Sequence, residues 1–470
     1  MKPSITVSRR RVVAGLGALA AAPVAAGPPA IRRGVTAERL ARDEDFWAAV
    51  ARRFRVSPDF VNLENGYYGV MPEPVRQAYH RNVDLLNEQN SHLLRTTYKA
   101  GADRIRDRLA GMLGVTRDEI ALTRGGTEAL QNLISGYRRL RPGDQVMYAD
   151  LDYHSGQYAM NWLKDRRGAE VARIAMPEPA TCQAVLDTYE RALREHPKTK
   201  LLLLSHMNNR TGLVTPVRRI VSMARDRGVD VIVDAAHSWG QLDFTLPDLD
   251  ADFAVFSLHK WMGAPLGAGF LYVREQRLGD IDPLYADETY PATDIRSRVH
   301  SGTMNVAPFL TVDAALDFHD TLGAQVKQAR LRFLRDRWVR PLRDVPNVEI
   351  LTPDEPGMYG AITAFRLRGL TTEADNTAIA DRLMRDHRIF TVARTGMAGG
   401  GGVRVTPALF TSAADIDRLA AALRDLREPA GPPARSEPAR RTAGCATAGG
   451  VGRAVTRSRR YEDPPLRGAA

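Results

Sequence analysis

The feature that most limits the fold is the alternation of short apolar runs with helical patterns in the middle of the chain. Helical patterns such as Thr127–Tyr137, Thr181–Glu195 and Val217–Arg227 separate most of these runs. Runs that are apolar throughout are typical of strands buried on both faces. The pattern therefore predicts an α/β fold with a mainly parallel seven-stranded sheet. The predicted strands are Ile120–Thr123, Gln145–Ala149, Glu170–Ile174, Leu201–Leu204, Asp230–Val233, Phe253–Ser257 and Ala268–Val273.

From about Asp344 the pattern changes to shorter strands and two helices, which predicts a small C-terminal α/β domain. We expect an N-terminal arm at 27–70, a large domain at 71–340, and the small domain at 341–428 together with the arm. Two such domains would leave a cleft between them. The predicted strands of the small domain are Val348–Leu351, Ile362–Leu367, Phe390–Ala393 and Val403–Thr406.

Both ends of the chain differ from this body. Arg9 and Arg10 precede an apolar run of fifteen residues, Val12–Ala26, which resembles a twin-arginine export signal. This run is shorter than the roughly 20 residues that span a membrane, so we expect a cleaved signal at 1–26, no stable membrane span, and export to the periplasm or beyond. The alternative is a basic leader on a cytoplasmic enzyme. The Pro-, Gly- and Arg-rich segment 429–470 is predicted to be a disordered tail.

The net charge of +11 resides in these ends. Residues 1–35 carry six Lys or Arg and no acid, and residues 429–470 carry eight against three acids, which leaves 52 basic and 52 acidic residues between them. A neutral body does not favour nucleic acid as a partner. The two cysteines, Cys182 and Cys445, predict neither a disulfide framework nor a cysteine-based metal site, and we expect no metal.

Ligands in such sheets bind beyond the carboxyl ends of the strands, where several polar motifs stand. In RGGTEAL, Gly125 and Gly126 precede a helix whose first N–H groups suit a phosphate. In ADLDYHSG, Tyr153 or His154 could lie flat against an aromatic ligand. Asp234 ends a buried strand, where a carboxylate is costly unless it is paired. Taken singly, a plain turn, a packing aromatic and a structural salt bridge explain these motifs equally well.

The stretch FSLHKWMGAPLGAGFLYV, residues 256–273, joins these motifs into one site. Ser257 and His259 can donate to a phosphate, and Lys260 in a dry cleft can lose its charge and form an imine. We expect the glycines at 263, 267 and 269 to let a flat ligand pass closely. A phosphate cradle, a stacking aromatic, a buried acid and such a lysine together predict a pyridoxal 5′-phosphate site.

The chain resembles the class V aminotransferase group of fold-type I pyridoxal-phosphate transferases, and within it the isopenicillin N epimerase branch. The spacings of 25 residues from Asn209 to Asp234 and of three to His237 fit this group. The resemblance runs from about Phe46 to Leu426, through the motifs VNLENGYYGVMPEPV, TRGGTEA, ADLDYHS, SHMNNRTGLVTPV, VDAAHSWGQ, SLHKWMGAPLGAGFLYV, HSGTMN and VRVTPALFTSAADIDRL.

The resemblance implies roles for individual residues. It makes Lys260 the Schiff-base lysine, Asp234 the partner of the pyridinium nitrogen, and Arg404 the arginine that grips a substrate carboxylate. It also implies a homodimer, because the residue matching Thr303 reaches the phosphate of the neighbouring subunit. The implied cofactor-binding residues are Gly126, Thr127, Tyr153, Asn209, Asp234, His237, Ser257, His259, Lys260 and Thr303; the implied substrate-binding residues are Arg404, Asn65 and Tyr67.

The reaction itself stays open. The loop VARTGMAGGGGVR lacks the cysteine that desulfurases carry there, and DAAH is similar to the epimerase branch. We therefore expect an epimerase-like enzyme that acts at the α-carbon of an amino acid or a derivative, with Tyr67, Tyr68 or His154 as its second proton-transfer group. The alternatives are an aminotransferase, a C–S or C–C lyase, and a periplasmic binding protein without turnover.

Overall fold

The computed structural model describes residue 31 and residues 34–178, 180–286, 288–300 and 302–426. The predicted signal segment 1–26 and the predicted tail 429–470 lie outside these ranges. Within them, no helix combines the length and the apolar character that crossing a membrane requires.

The N-terminal arm precedes two long helices. It contains two short helices, α1 (Ala37–Leu40) and α2 (Glu44–Ala51), and a two-residue strand, β1 (Val61–Asn62). Helices α3 (Glu73–Thr96) and α4 (Tyr98–Leu113) follow. Trp47 of α2 is almost fully buried, so the arm is anchored in the core rather than lying free on the surface.

The large sheet has seven strands in the order β2-β8-β7-β6-β5-β3-β4. Only β8 runs antiparallel to its neighbours, β2 and β7. This confirms the predicted mainly parallel sheet. The strands are β2 (Ile120–Thr123), β3 (Gln145–Ala149), β4 (Glu170–Ile174), β5 (Thr199–Ser205), β6 (Asp230–Asp234), β7 (Phe253–Ser257) and β8 (Gly269–Val273).

Helices cover both faces of this sheet. Successive residues of a strand point to opposite faces, so Leu201 and Leu203 of β5 pack in one apolar cluster while Leu202 and Leu204 pack in the other. The helices are α5 (Gly126–Gly136), α6 (His154–Arg167), α7 (Cys182–Glu195), α8 (Val217–Arg225), α9 (Leu246–Leu249), α10 (Ala307–Leu310), α11 (Val312–Leu322) and α12 (Ala324–Val339). Short 3₁₀ helices occupy Arg117–Glu119, Glu275–Asp280, Leu284–Ala286, Ile295–Arg298 and Arg340–Leu342.

The C-terminal part forms a smaller antiparallel sheet in the order β12-β13-β10-β9. The predicted strand Phe390–Ala393 proves to be two strands, because the chain changes partner at Thr391: β11 pairs with β1 of the arm and β12 pairs with β13. The elements are β9 (Val348–Ile350), β10 (Thr363–Leu367), β11 (Ile389–Phe390), β12 (Val392–Arg394), β13 (Gly402–Val405), α13 (Glu373–His387) and α14 (Ala413–Asp425).

Candidate active site

Lys260 lies three residues beyond β7, in the loop that turns back into β8. Leu258 N donates to Ala268 O at 3.0 Å, and Gly263 N donates to Lys260 O at 3.3 Å. Because β7 and β8 are antiparallel neighbours, the loop needs no crossover helix and both of its ends are hydrogen-bonded to each other. This holds the lysine at the carboxyl edge of the large sheet.

Two of the glycines of this loop allow close approach of other parts of the protein, and their role beside a flat ligand stays a prediction. A Cβ at Gly269 would lie 2.7 Å from Gly125 Cα, and one at Gly263 would lie 3.0 Å from Pro72 Cδ. Gly263 and Gly267 also have φ of 70° and 90°, a region that side chains disfavour.

His237 fixes the chemical state of Lys260. The two side chains meet with His237 Nε2 at 3.0 Å from Lys260 Nζ, and Trp261 Nε1 donates to His237 Nδ1 at 3.4 Å. Burial and the charge of Lys260 lower the pKa of His237 well below its usual value, so the ring is neutral. A neutral ring that accepts at Nδ1 carries its proton on Nε2 and donates it to the amine. Only the uncharged form of Lys260 can accept that hydrogen bond.

The pKa of Lys260 agrees with this assignment. Burial lowers it to about 8; the charge of Asp234 opposes the shift, and the charges of Arg404 and Arg394 add to it. A lysine with an ordinary pKa would be protonated almost entirely at neutral pH. Lys260 instead supplies a useful fraction of free amine.

Asp234 ends β6 as predicted and is buried. Its Oδ1 accepts from Ala236 N at 2.9 Å, and burial raises the pKa of the carboxyl while the charge of Lys260 lowers it. Asp152, which sequence reasoning missed, lies near it. Burial raises the pKa of Asp152 to about 7, and its carboxylate accepts from Ala149 N at 2.7 Å and Ser205 N at 2.8 Å. Asp152 thereby fixes the loop that carries Tyr153.

The predicted phosphate contacts come together at the start of α5. Gly126 N donates to Ser257 Oγ at 3.2 Å, and a Cβ at Gly126 would lie 2.6 Å from that oxygen. The first turn of a helix has N–H groups without intrahelical partners, which suits an anion. A cavity of about 1290 Å³ opens here; its lining includes Gly125, Gly126, Thr127, Tyr158, Trp162, His259, Tyr285 and His300.

Aromatic and polar groups border the space around Lys260. Lys260 Nζ lies 5.8 Å from the centroid of the Tyr153 ring, and His154 packs against that ring at 4.4 Å between centroids. Asn209 Oδ1 and His259 Nδ1 are buried without hydrogen-bond partners. Buried polar atoms left unpaired in this way point to a missing ligand.

These residues fit pyridoxal 5′-phosphate. The start of α5 and Ser257 offer donors to a phosphate, Tyr153 offers a flat face, and Asp234 offers a carboxylate to a ring nitrogen. The unpaired Asn209 Oδ1 and the Lys260 amine, whose pKa burial lowers to about 8, complete a set that a plain structural core would not need.

Arg404 is in the site, but its side chain already has an acid partner. It is 1% exposed and donates through Nε to Glu64 Oε2 at 3.3 Å, through Nη2 to Glu64 Oε1, and through Nη1 to Asn209 O at 2.6 Å. Arg394 Nη2 also donates to Glu64 Oε1 at 3.2 Å. Sequence reasoning missed Glu64 and Arg394, although Glu64 lies in the motif VNLENGYYGVMPEPV and Arg394 lies in the loop VARTGMAGGGGVR.

The other two predicted substrate residues lie on the arm. Asn65 is buried, and its amide nitrogen donates to Thr406 O at 2.8 Å and Asn62 O at 3.1 Å, so it joins the arm to β13. Tyr67 is 71% exposed, and its ring lies 5.7 Å from that of Tyr68 at an interplanar angle of 60°. Thr303 is exposed as well. The substrate roles of Asn65 and Tyr67 and the intersubunit role of Thr303 remain predictions.

Two further residues complete the surroundings. Lys327 of α12 is 2% exposed and donates to Trp261 O at 3.0 Å, with His319 Nδ1 at 2.9 Å from the same amine. A lysine in a helical pattern is expected on the surface, so the sequence did not predict that Lys327 is buried. Cys182 begins α7, and its Sγ lies 3.9 Å from Arg219 Nη1 on α8.

Comparisons with known proteins agree with this geometry. The family model "Aminotransferase class-V" matches residues 73–419. Isopenicillin N epimerase of Streptomyces clavuligerus is 30% identical over 397 residues, which cover 80% of this chain and 97% of that protein.

Two solved structures have the same fold. The apo structure of a cysteine desulfurase from Thermococcus onnurineus NA1 has a TM-score of 0.69 at 22% identity and covers 80% of this chain and 97% of its own. A lysine-to-alanine mutant of C-DES, with glycine covalently linked to its PLP cofactor, has a TM-score of 0.69 at 23% identity. The match covers 80% of this chain and 98% of that chain.

Proposed function

Since this chain belongs to the class V aminotransferase family, we propose that it is an epimerase-like enzyme that inverts the α-carbon of an amino acid or of an amino-acid-derived substrate. Pyridoxal 5′-phosphate is its cofactor. When bound, this group supplies a conjugated ring that withdraws electrons from the α-carbon.

Lys260 is the base in this proposal. Its neutral amine, held by the His237 Nε2–H, takes the α-proton at Nζ. Asp234 holds a proton on the ring nitrogen, because a carboxylate in a dry site favours a positive partner. Ser257 and the start of α5 hold the phosphate and so fix the distance between Lys260 and the reacting carbon.

The observation that carries the epimerase reading is that Tyr153 and His154 lie near Lys260. Inversion needs one group that removes a proton and a second group that returns one to the other face. Lys260 Nζ lies over the Tyr153 ring at 5.8 Å from its centroid, and His154 packs on that ring. A flat group stacked on Tyr153 would therefore have two titratable side chains nearby, Lys260 and His154. The similarity to isopenicillin N epimerase of Streptomyces clavuligerus, which extends over 97% of that protein, supports the same choice.

The test is proton exchange in heavy water. The holoenzyme is incubated with the common L-amino acids and with isopenicillin N. We expect deuterium at the α-carbon of the true substrate and loss of its optical purity, with no keto acid or ammonia released. The Lys260→Ala variant should fold, bind less cofactor covalently and exchange nothing, whereas the surface variant Lys164→Ala should behave as wild type.

Other products would redirect the proposal. One keto acid per site without an acceptor would mean an aminotransferase, and release of ammonia or of a side-chain fragment would mean a lyase. Borohydride reduction followed by peptide mapping checks the lysine itself. A phosphopyridoxyl label on any lysine other than Lys260 would overturn the assignment.

A further inference from the structure

The Glu64 carboxylate binds the guanidinium of Arg404 in the way a substrate carboxylate would. The two side chains form a paired contact, Nε and Nη2 of Arg404 facing the two oxygens of Glu64. This planar two-point geometry is the one by which arginine recognises a free carboxylate. Arg404 uses its remaining terminal nitrogen on Asn209 O at 2.6 Å. None of its three nitrogens is left without an acceptor.

The charges around Glu64 do not balance. Arg394 reaches Glu64 Oε1 as well, so two guanidinium groups share one carboxylate. The Arg394 side chain is 22% exposed, whereas Arg404 and Glu64 are 1% and 7% exposed. Arg394 Nε is buried and has no hydrogen-bond partner. The cluster therefore keeps one excess positive charge and one unused donor, both of which suit a second anion.

The arm wraps this cluster closely. A Cβ at Gly66 would lie 2.9 Å from Arg404 Cζ, so any side chain at this position would displace the guanidinium. The next residues, Tyr67 and Tyr68, are exposed at 71% and 49%. The carboxylate of Glu64 is thus a few residues from solvent along a segment that has no helix or strand of its own.

We propose that Glu64 is a displaceable internal carboxylate, which holds Arg404 until the carboxylate of the substrate takes its place. This inference rests on the proposed function, because it takes Arg404 as the residue that binds the substrate carboxylate. A buried guanidinium without a counter-charge is unfavourable, so the exchange keeps Arg404 paired in both states.

The exchange has a consequence for specificity. A substrate that brings a carboxylate can replace Glu64, while an amine without one has to leave Glu64 in place. Glu64 therefore lowers the apparent affinity for a carboxylate-bearing substrate by the fraction of time it holds Arg404, whereas an amine without a carboxylate gains nothing from Arg404.

The experiment measures carboxylate binding without turnover. Propionate is titrated into the holoenzyme by calorimetry in chloride-free buffer, and propionamide serves as the uncharged isostere. Glu64→Gln keeps the size and one acceptor but removes the charge. If Glu64 holds Arg404 for nine-tenths of the time, propionate should bind the variant about tenfold more tightly than it binds wild type. Propionamide should bind neither protein.

A matched variant removes the same charge elsewhere. Glu178 pairs with Arg366 at 2.9 Å and lies against Gly399, so Glu178→Gln changes the net charge without touching Arg404 or Arg394. Its affinity for propionate should equal that of wild type. Propionate should also raise the melting temperature of Glu64→Gln more than that of wild type.

Equal or weaker propionate binding by folded Glu64→Gln would overturn the proposal and make the pair purely structural. If that variant does not fold, Glu64→Asp replaces it. The shorter acid keeps the charge but reaches the two arginines less well, so propionate should bind it more tightly than wild type. Wild-type affinity for propionate in this variant would also overturn the proposal. Propionate binding does not involve proton exchange at an α-carbon. The propionate result can therefore be interpreted if the epimerase test fails, and the epimerase result can be interpreted if the propionate test fails.

Discussion

The proton on His237 decides whether Lys260 is an acid or a base. Because Trp261 can only donate to Nδ1, the neutral ring turns its Nε2–H toward the lysine. The sequence predicted that His237 and Lys260 share a site, since both belong to motifs that follow strands. It did not predict this contact, because the direction of a hydrogen bond depends on Trp261, a residue whose side chain could equally have packed in the core.

Replacing His237 tests this assignment. His237→Phe removes the donor to the free amine and should raise the pKa of Lys260 from about 8. A hydrogen bond of about 0.5–1.5 kcal/mol corresponds to a rise of up to roughly one pH unit. The pH dependence of Lys260 acylation in the apoprotein, followed by mass spectrometry, gives the value. His237→Gln keeps a donor and should shift the pKa less; an unchanged or lower pKa in His237→Phe would refute the tautomer.

At the scale of elements, sequence patterns predicted the parts of the large sheet well. Most of its strands are parallel and largely buried, so they appear as short apolar runs with clear ends; the edge strand β4, with exposed Glu170 and Arg173, is the exception. The double strand at Ile389–Arg394 was not predictable, because a change of pairing partner leaves no mark on the apolar pattern. The arm was predicted to accompany the small domain, but its pairing with β11 was not, because that pairing joins residues more than 300 positions apart.

The start of α5 should be sensitive to a single methyl group. Gly126→Ala would bring a Cβ to 2.6 Å from Ser257 Oγ and break the hydrogen bond between Gly126 N and that oxygen. Losing about 0.5–1.5 kcal/mol here should weaken cofactor binding by up to roughly tenfold. The dissociation constant of pyridoxal phosphate, from its absorbance on titration into apoprotein, is the measurement.

Gly111→Ala is the control for this change. Gly111 lies in α4 with no atom within 4 Å of its would-be Cβ, so alanine should leave cofactor affinity unchanged and add about 0.5–1 kcal/mol of stability. Wild-type cofactor affinity in Gly126→Ala would mean that the phosphate does not sit at this helix start.

Helices α11 and α12 introduce a pH-dependent element through Lys327. Burial lowers the pKa of this lysine from 10.5 to about 7, while the charge of Asp320 opposes the shift; His319 and the carbonyl of Trp261 face its amine. Between pH 7 and 10.5 the unfolded chain therefore binds more protons than the folded one. Stability should rise with pH across this window and fall as the pH drops toward 7.

Lys327→Met should remove this slope. One lysine contributes about 1.36 kcal/mol per pH unit within the window. Urea unfolding of the apoprotein at several pH values gives the slope, and Lys260 adds its own share in both proteins. A variant with the wild-type slope would show that Lys327 is charged in the folded state.

At the scale of the whole molecule, we expect a homodimer. Large apolar side chains around the cavity at α5 are exposed, among them Tyr158, Trp162 and Tyr285 at 52%, 42% and 92%. Contiguous exposed aromatics of this kind mark a protein interface more often than a bare surface. Light scattering should give about twice the mass of the chain. Trp162→Glu should yield monomers with weaker cofactor binding, whereas monomeric wild type at working concentration would refute the shared site.

Export remains a prediction of the sequence alone. Replacing Arg9 and Arg10 with lysine should leave full-length precursor inside the cell, because the twin-arginine pathway reads this pair. Fractionation followed by immunoblotting measures it. Normal amounts of the double variant in the periplasm would contradict the export assignment.

The antiparallel β8 has a consequence for how this protein could be altered. Ser257 and Gly269 are register partners, and Gly269 packs on Gly125, so the loop of residues 258–268 is clamped at both ends to the helix start that receives the phosphate. Inserting or deleting one residue in this loop would displace Lys260 and would also disturb the pairing of Ser257 with Gly269. The glycine-rich turn between β12 and β13 is held in a similar way, because Arg394 and Gly402 are register partners and Ala398 N donates to Asp150 Oδ2 at 2.8 Å. Libraries that seek new substrates should therefore keep the length of both loops and vary only the residue types in them.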